Sequence, residues 1–401
     1  MKRKQTLGRL SNRKWQSCAA GRNELPANRF FNGFSLTSSK PIQPADHVAR
    51  MKQFRNTIIR AGLEALCLTG AHVLLRPIFS GVGAIFMLHH VRPRRDGAFQ
   101  PNRHLEITPE FLRAMLAHLR AQGVDIVTLD EVHQRLVERN FSRRFACFTF
   151  DDGYRDNRDF ALPVLREFDA ACAIYVVSDF AEGKGWPWWI ALEMAIARAC
   201  SIEIAIGGAA TRIDTASAAA KRAAFDRLHE RLRSLPEHDL QREVGALCAR
   251  HGVDEMGICR ELCMSWHELK ALAADPLVTI GAHSITHCNL AHQSEALASK
   301  ELTQGRARAE EAIGRPVLHL AYPYGDKGAA GAREFALARN AGYKTAVTTR
   351  PGMIFSESAE HLTALPRVSL NGNYQDARIL PVLTSGAATA MWNGFRRVDA
   401  A

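Results

Sequence analysis

Two adjacent carboxylates, Asp151 and Asp152, follow a short apolar stretch and stand directly before Gly153. The stretch Phe145–Phe150 has the composition of a buried strand, and glycine can adopt the backbone of a tight turn that leaves it. Neighbouring side chains point in different directions, so one carboxylate could bind a metal ion while the other faces a substrate. Two acids so close repel each other, which separates their pKa values and lets one act as a base. An ordinary Asp-Gly turn with a helix cap is the alternative for this motif by itself.

Two histidines, His283 and His287, offer nitrogen ligands of the kind that a divalent cation accepts. Their spacing of four residues predicts one helical turn that brings both imidazoles to the same face. Such a pair also occurs on solvated helix faces, so the pair alone is ambiguous. One of the two aspartates at another strand end would complete a set of two histidines and one aspartate, with coordination positions left open for water and substrate.

Short apolar runs alternate with helical patterns from about residue 84 onward, as in parallel strands joined by crossover helices. Two of these helices are predicted to start at Thr108 and Thr128. Seven strands are predicted, and they are Ala84–Leu88, Asp125–Val127, Phe145–Phe150, Cys172–Val177, Leu277–Ala282, Val317–Ala321 and Thr345–Thr348. Nearly every polar cluster that could do chemistry follows the C-terminal end of one of these strands. Because the active site of an α/β barrel lies at that end, the pattern predicts a seven-stranded barrel with one active face.

The regular spacing breaks at about residues 183–262, where helical patterns dominate and Ile202–Ile206 is a weak strand candidate. We predict a helical insertion there. Trp186, Trp188 and Trp189, near its start, could form a flat platform for a sugar ring or could bury the insertion against the barrel, and Trp188 is our choice for a sugar contact. The apolar stretch Gly62–Leu75 predicts a helix that covers the bottom of the barrel, with contact to a membrane surface as the alternative.

The net charge of +11 over 401 residues comes from the N-terminus, since the first sixty residues hold 13 Lys and Arg against 2 acids. A nucleic-acid-binding domain gathers its basic residues on the fold itself, so no nucleic-acid partner is expected. We predict a disordered basic tail over residues 1–50, with an organellar transit peptide or a start codon placed too far upstream as alternatives. Nine cysteines without a C-x-x-C pair favour a reducing compartment, the cytoplasm. No apolar run reaches the length of a transmembrane span.

Three motifs occur in order: T-F-D-D-G at 149–153, H-S-x-x-H at 283–287 and A-Y-P-Y-G at 321–325. Together they resemble the polysaccharide deacetylase family, the NodB-homology carbohydrate esterases that include chitooligosaccharide deacetylase. The resemblance covers about residues 84–370 and implies a distorted (β/α)7 barrel, one divalent metal ion and an N-acetylated carbohydrate substrate. By matched position, the resemblance makes Asp151 the catalytic base and makes Asp152, His283 and His287 the metal ligands. It also makes Tyr322, Pro323 and Tyr324 the groove wall, which packs the sugar and supplies an oxyanion-binding amide.

The chain departs from the family pattern at two positions. Many members carry an arginine in the third motif to orient the base, and we expect Arg367, from another loop, to take that role. Many also carry a Leu-x-His near the end as the general acid, and no such motif follows Tyr343. His361 is a weak substitute. His89 or His90, at the mouth of the first strand, is a better one, and His89 is our choice.

The sequence thus predicts a metal-dependent deacetylase of chains that contain N-acetylglucosamine. Zn²⁺ suits the nitrogen and oxygen ligands, and the same set accepts Co²⁺, Mn²⁺ or Ni²⁺. A related barrel that hydrolyses a non-sugar linear amide, or a catalytically silent carbohydrate-binding barrel, is the alternative. The expected divisions are a tail at 1–50, a helical segment at 51–83, the barrel at 84–375 and a C-terminal extension at 376–401. The sequence indicates no oligomeric state.

Overall fold

The structure, a computed structural model, describes residues 44–206 and 209–397. Most of the predicted tail, residues 1–43, therefore lies outside the described residues, as do the last four residues of the C-terminal extension. Residues 44–50, which we had assigned to the tail, form the first turns of a helix that begins at Pro44.

Most strands of the described chain are parallel and belong to one sheet. In chain order the strands are β1 (Gly83–Leu88), β2 (His90–Val91), β3 (Glu106–Ile107), β4 (Asp125–Ile126), β5 (Phe145–Phe150), β6 (Cys172–Val176), β7 (Ser201–Ile206), β8 (Ala209–Asp214), β9 (Val278–Ala282), β10 (His319–Ala321), β11 (Thr345–Pro351) and β12 (Leu365–Ser369). The ring runs β1, β12, β11, β10, β9, β6, β5 and back to β1. This closed ring of seven strands confirms the predicted barrel.

The predicted set of seven strands was wrong in one member. The segment Asp125–Val127 forms β4, which pairs with β5 beside the ring and not within it. Its place in the ring belongs to β12, which the sequence assigned to a loop and which contains Pro366 and Arg367. A proline cannot donate to a strand ladder and is tolerated where pairing is irregular. The pairing of β11 with β12 is irregular between Val347 and Pro351, which accommodates Pro366.

Helices cover the outside of the barrel and both of its ends. In chain order they are α1 (Pro44–Thr69), α2 (Ala71–Phe79), α3 (Pro109–Ala121), α4 (Leu129–Val137), α5 (Leu162–Glu167), α6 (Ser178–Ala181), α7 (Trp188–Arg198), α8 (Ala218–Arg233), α9 (Glu237–Arg250), α10 (Glu255–Leu262), α11 (Trp266–Leu272), α12 (Glu295–Ile313), α13 (Ala332–Asn340), α14 (Leu380–Ser385) and α15 (Ala387–Trp392). The predicted helix starts at Thr108 and Thr128 are confirmed, because each hydroxyl accepts a hydrogen bond from a backbone amide three residues later.

The insertion is mostly helical, as predicted, and consists of α7 to α10 with one hairpin. The weak strand candidate Ile202–Ile206 is one arm of that hairpin, β7, which pairs antiparallel with β8. Buried side chains of α7, α8 and α9, among them Trp188, Leu228 and Val244, form a hydrophobic cluster of their own. The insertion therefore has a core of its own, which joins the barrel through Tyr154, Val177 and Phe180.

The N-terminal end of the barrel is covered by α2 and α14. The predicted helix Gly62–Leu75 is in fact two helices, because Gly70 adopts a left-handed backbone (φ 69°) and ends α1. Buried Leu63 and Leu66 of α1 pack against Val382 of α14. No single helix among the described residues is long and apolar enough to cross a membrane. Only when taken together do Phe54–Thr69 and Ala71–Phe79 have the length and apolar composition of a membrane span, and the two helices are bent by 100° relative to each other.

Candidate active site

Asp151 and Asp152 leave the end of β5 in different directions, as predicted. Both side chains are almost fully buried, with 2% exposure. Asp152 and Gly153 adopt left-handed backbone conformations (φ 70° and 66°), which turn the chain sharply after the strand. A non-glycine residue in this region is strained, and such strain is concentrated at functional sites. The turn sends Asp151 toward β12 and Asp152 toward the loop after β9.

Asp152, His283 and His287 come together as the sequence predicts. Asp152 Oδ1 lies 3.5 Å from His283 Nε2 and 3.4 Å from His287 Nε2, and the three ligand atoms lie within 4.8 Å of one another. Asp152 Oδ1 is buried and has no hydrogen-bond partner among the described residues. A buried carboxylate oxygen normally has a partner, so this one is left for a group that the chain does not supply. Two imidazole nitrogens and one carboxylate oxygen suit a divalent cation.

The tautomer of His283 is fixed by the barrel itself. Its Nδ1 donates to the carbonyl oxygen of Ala321, at a distance of 2.6 Å, so its Nε2 keeps a lone pair toward Asp152. Burial lowers the pKa of both His283 and His287, which keeps the two rings neutral and able to act as ligands. Burial, together with the charge of Asp151, raises the pKa of Asp152 to about 8. A bound cation would oppose that rise, because positive charge favours the ionised carboxylate.

The two histidines are not on a helical turn, and that prediction was wrong. Residues 283–289 form a loop, in which Ser284 and His287 both adopt left-handed conformations (φ 65°). The loop is held by Glu301 of α12, whose Oε2 accepts from the backbone amides of Ile285 and Thr286 at 2.8 Å and 3.0 Å. The backbone turns, and not a helical period, bring the rings to a centroid distance of 5.0 Å.

Arg367 forms a two-pronged ion pair with Asp151. Its Nη1 and Nη2 each lie 2.7 Å from one carboxylate oxygen, and both side chains are buried. The same guanidinium donates to the Thr348 carbonyl oxygen at 2.8 Å, so its position is fixed. Burial alone would raise the pKa of Asp151, but the charge and hydrogen bonds of Arg367 outweigh it and hold the pKa below the usual range. Arg367 reaches the site from β12, a barrel strand, and not from a loop.

The structure distinguishes His89 from His90. His89 Nε2 lies 3.9 Å from Asp151 Oδ2, and the ring is 18% exposed. His90 points elsewhere, with its Nδ1 2.7 Å from Asp156 Oδ2 and its ring stacked on Tyr154. Burial lowers the pKa of His89 to about 3, although the charge of Asp151 opposes this, so the ring is neutral at neutral pH. His361, the other substitute considered, is exposed just before the N-terminal end of β12. This is the end of the barrel opposite the candidate active site.

The two tyrosines of the third motif, Tyr322 and Tyr324, lie in different places. Tyr322, which we expected in the groove wall, is fully buried behind β10, where its hydroxyl donates to Thr363 O at 2.8 Å and its ring packs on Phe335. It cannot contact a sugar there, because strand side chains alternate between faces. Pro323 is also buried, and only Tyr324 turns toward the site, with its ring centroid 5.1 Å from that of His287.

The Trp188 side chain is buried and does not form an open platform for a sugar ring. The structure therefore favours the alternative in which Trp188 is a packing residue. Its side chain is 2% exposed and stacks on His229, while its Nε1 donates to the Tyr324 hydroxyl at 2.9 Å. Trp189, the neighbour in the same predicted platform, is also buried, and its ring lies 5.0 Å from the His287 ring. The sequence missed Phe180, whose ring lies 6.0 Å from the His287 ring and which no local pattern marked.

The model of the polysaccharide deacetylase family matches residues 138–346, just over half of the chain. The chain belongs to the polysaccharide deacetylase family. The match includes Asp151, Asp152, His283 and His287, whereas His89 and Arg367 lie outside it. Membership supports a hydrolase that acts on amide bonds of acetylated carbohydrates.

Solved structures of deacetylases are similar to the chain at low identity. The deacetylase PplD of Streptococcus pyogenes, solved in complex with acetate, is 15% identical with a TM-score of 0.47, over 72% of this chain and 92% of its own. IcaB from Ammonifex degensii is 17% identical with a TM-score of 0.45, over 72% of this chain and 91% of its own. A polysaccharide deacetylase from Bacillus cereus is 18% identical with a TM-score of 0.43, over 72% and 65%. No curated protein sequence matches this polysaccharide deacetylase.

Proposed function

We propose that the protein is a metal-dependent N-deacetylase of oligo- or polysaccharides that contain N-acetylglucosamine. The observation that supports this most is that two adjacent carboxylates lie in two different environments. Asp151 is ion-paired with Arg367, while Asp152 faces two neutral histidines and has one oxygen without a partner among the described residues. A metal-dependent amide hydrolase uses a base for water and a cation for the carbonyl, and these environments suit those two tasks.

We propose that Asp152, His283 and His287 hold the divalent cation. When bound, the cation supplies Lewis-acid chemistry, which lowers the pKa of water and polarises the acetamide carbonyl. Zn²⁺ suits the donor set best, and Co²⁺, Mn²⁺ and Ni²⁺ are also compatible with it. The donors are backed by fixed neighbours, since the Ala321 carbonyl orients His283 and Glu301 holds the loop that carries His287. Such support holds ligands in place before a cation arrives.

In this proposal Asp151 removes the proton from the attacking water. The ion pair with Arg367 keeps the carboxylate charged and fixes the direction of its oxygens. Catalysis by a positioned base contributes about 10²- to 10⁴-fold in rate. Arg367 acts through Asp151 and is therefore a positioning residue.

His89 is the proposed general acid for the leaving amine. Its Nε2 lies 3.9 Å from Asp151 Oδ2, the oxygen that also accepts from Arg367 Nη2, and its ring is partly open to solvent. Because burial lowers its pKa, the ring is neutral before the reaction. It can accept from Asp151 the proton that Asp151 removes from water and pass that proton to the leaving amine, and the negative charge of Asp151 favours this imidazolium.

Tyr324, which is partly exposed beside the His287 ring, is the proposed contact for the acetylated sugar, while the buried Trp189 and Phe180 pack around that ring. Aromatic faces suit the apolar faces of sugar rings, and the Tyr324 hydroxyl is fixed by Trp188. The amide of Tyr324, in the turn after β10, is the proposed donor to the developing oxyanion.

The test is release of acetate from N-acetylated chitooligosaccharides and from peptidoglycan fragments, measured with and without a chelator. We expect release that chelation abolishes and added Zn²⁺ restores. Arg113→Gln is a matched control, because Arg113 pairs with Glu167 in an exposed ion pair on the outside of the barrel and should leave activity unchanged. Hydrolysis of only non-sugar amides, or binding of the oligosaccharide without acetate release, would support the two alternative functions instead.

A further inference from the structure

Helix α1 carries apolar residues on two opposite faces, although an ordinary surface helix is polar on its outer face. Leu63 and Leu66 face inward and are buried. The outward face is also apolar and is formed by exposed residues at helical spacing, which are Phe54, Ile58, Ala61, Ala65 and Leu68. Phe54 is 67% exposed and Leu68 is 83% exposed.

This apolar stripe has a counterpart on the helices at the N-terminal end of the barrel. On α2, Val73 and Leu74 are 60% and 81% exposed, and Ile78 is 49% exposed. Helix α2 packs against α14 and α15, and the ring of Phe79 contacts that of Phe395, which follows α15. Nine of the thirteen large exposed apolar side chains in the described chain belong to these segments, so they are concentrated and not scattered. They are Phe54, Ile58, Leu68, Val73, Leu74, Ile78, Met391, Trp392 and Phe395, and we call them the apolar surface.

The charge around α2 and α15, the part of the apolar surface at the N-terminal end of the barrel, has one sign. Leu68 of α1 differs, because Glu64 and Asp376 lie near it and pair with Arg60 and Arg378. Residues 65–83 and 377–397 contain no aspartate or glutamate but contain four arginines. Two of them, Arg76 and Arg396, form no ion pair within the described residues. Arg144, just before β5, donates through Nη2 to the carbonyl oxygens of Ser80 and Thr384, while its Nε and Nη1 are buried without a partner among the described residues. Exposed apolar groups beside unpaired guanidinium groups complement an anionic lipid surface, which offers acyl chains below phosphates.

We propose that the apolar surface docks this protein on the face of an anionic lipid bilayer. Leu74, Ile78 and Trp392 enter the boundary between headgroups and acyl chains, and Arg76 meets lipid phosphates. A tryptophan at this depth is favourable because its ring is apolar and its N–H can reach the headgroups. The active site lies at the opposite end of the barrel strands and remains open to substrate. The docking is independent of the deacetylase activity.

The charge favours lipid over a second copy of the chain. Two copies that meet through this surface would bring Arg76 and Arg396 of both together with no acid in these segments to balance them, and like charges disfavour such contact. An anionic bilayer removes that repulsion. The basic residues of the first sixty positions have the same sign and would add to the attraction.

The test is flotation of the full chain with vesicles of phosphatidylcholine alone and of phosphatidylcholine mixed with phosphatidylglycerol. We expect binding to the mixed vesicles that weakens as salt is raised. In the variant Leu74→Ser with Ile78→Ser, the partition coefficient should fall about tenfold or more, because two exposed side chains no longer enter the apolar layer. Arg76→Gln should weaken binding about fivefold, the effect of one cation at an anionic surface.

The matched control is Leu297→Ser with Met256→Ser, each of which is 51% exposed away from the apolar surface. This control should bind vesicles like the unaltered chain. All variants should release acetate from soluble oligosaccharide equally, because none touches the active site. The proposal is overturned if the full chain does not float with anionic vesicles, or if the α2 variant floats undiminished, which would assign binding to the basic N-terminus. A dimer that the α2 variant dissociates, without vesicle binding, would assign the surface to a second copy.

Discussion

The two ends of the barrel are built for different purposes. At the C-terminal end of the strands, charged side chains are buried, one carboxylate oxygen has no partner within the described part of the chain, and Asp152, His287 and Tyr324 hold left-handed conformations. At the N-terminal end, α1 and α14 meet through Leu63, Leu66 and Val382, which are apolar and buried. A strained backbone and unpartnered polar groups persist only where the surrounding structure holds them. The well-packed N-terminal end of the barrel therefore supports the strained C-terminal end that carries the active site.

The comparison predicts that substitutions at the C-terminal end lower activity, with or without loss of stability, whereas those at the N-terminal end lower stability and leave kcat unchanged. The largest effect should come from Asp151→Asn. The amide is nearly isosteric but cannot take a proton, so turnover should fall about 10²- to 10⁴-fold. Metal content, measured by elemental analysis, should be unchanged, because Asp151 faces Arg367 and not the histidines.

Asp152→Asn is the paired control, and its activity should recover in part when metal is added in excess. If Asp151→Asn is the variant that metal rescues, the roles of the two carboxylates are reversed. Full activity in both variants would contradict the deacetylase mechanism.

His283→Ala should have the next largest effect. Loss of one of three ligands should lower metal affinity by at least about 100-fold, since even a supporting residue contributes 10- to 100-fold. Elemental analysis after dialysis measures this directly. His90→Ala is the comparison, because His90 pairs with Asp156 and should keep the metal. Full metal retention in His283→Ala would end the assignment of this site.

Arg367→Gln should move the acid limb of the kcat/KM profile to higher pH. Arg367 now holds the pKa of Asp151 below its usual range, so the charged pair stabilises the fold above the ordinary carboxyl pKa. That contribution is lost only as the pH falls through the lowered pKa. In the variant, Arg367 no longer opposes the effect of burial, so the pKa of Asp151 rises. Asp151 is then protonated, and inactive as a base, up to a higher pH than in the unaltered chain. Breaking the buried pair should also cost about 3–5 kcal/mol of stability. An unmoved acid limb would show that Arg367 does not set the charge of the base.

Leu380→Ala tests the opposite end of the molecule. Leu380 is 3% exposed in α14, so its truncation should lower the free energy of unfolding by about 2–5 kcal/mol. The kcat of the folded fraction should not change, because the side chain is far from the reacting groups. Denaturant unfolding and acetate release measure the two quantities. A fall in kcat without loss of stability would contradict the division between the two ends.

Tyr324→Phe should have the smallest effect. It removes the acceptor for Trp188 Nε1, a hydrogen bond that contributes about 1 kcal/mol, and keeps the ring beside His287. We expect a small decrease in the melting temperature and at most a few-fold rise in KM for oligosaccharide. A loss of turnover as large as that of Asp151→Asn would give the hydroxyl a direct part in the reaction.

Much of the candidate site could be predicted from residue type and order. Three motifs at strand ends predicted Asp151, Asp152, His283 and His287, and the structure brings all four together. Apolar runs predicted six of the seven barrel strands, because strands buried on both faces need continuous apolar sequence. The threonine caps of α3 and α4 were readable because capping is a local interaction.

The rest depended on contacts between residues far apart in the chain. Only the pairing of β12 with β1 and β11 makes a strand of Leu365–Ser369, since its local sequence contains a proline and an arginine. The choice between His89 and His90 was decided by Asp151 and Asp156, about 60 residues later in the chain. Likewise the burial of Trp188 and Tyr322 came from packing against α8 and α13. The sequence by itself thus determined which groups the site contains. The tertiary structure decided which of them meet, because barrel closure sets distances that no local pattern encodes.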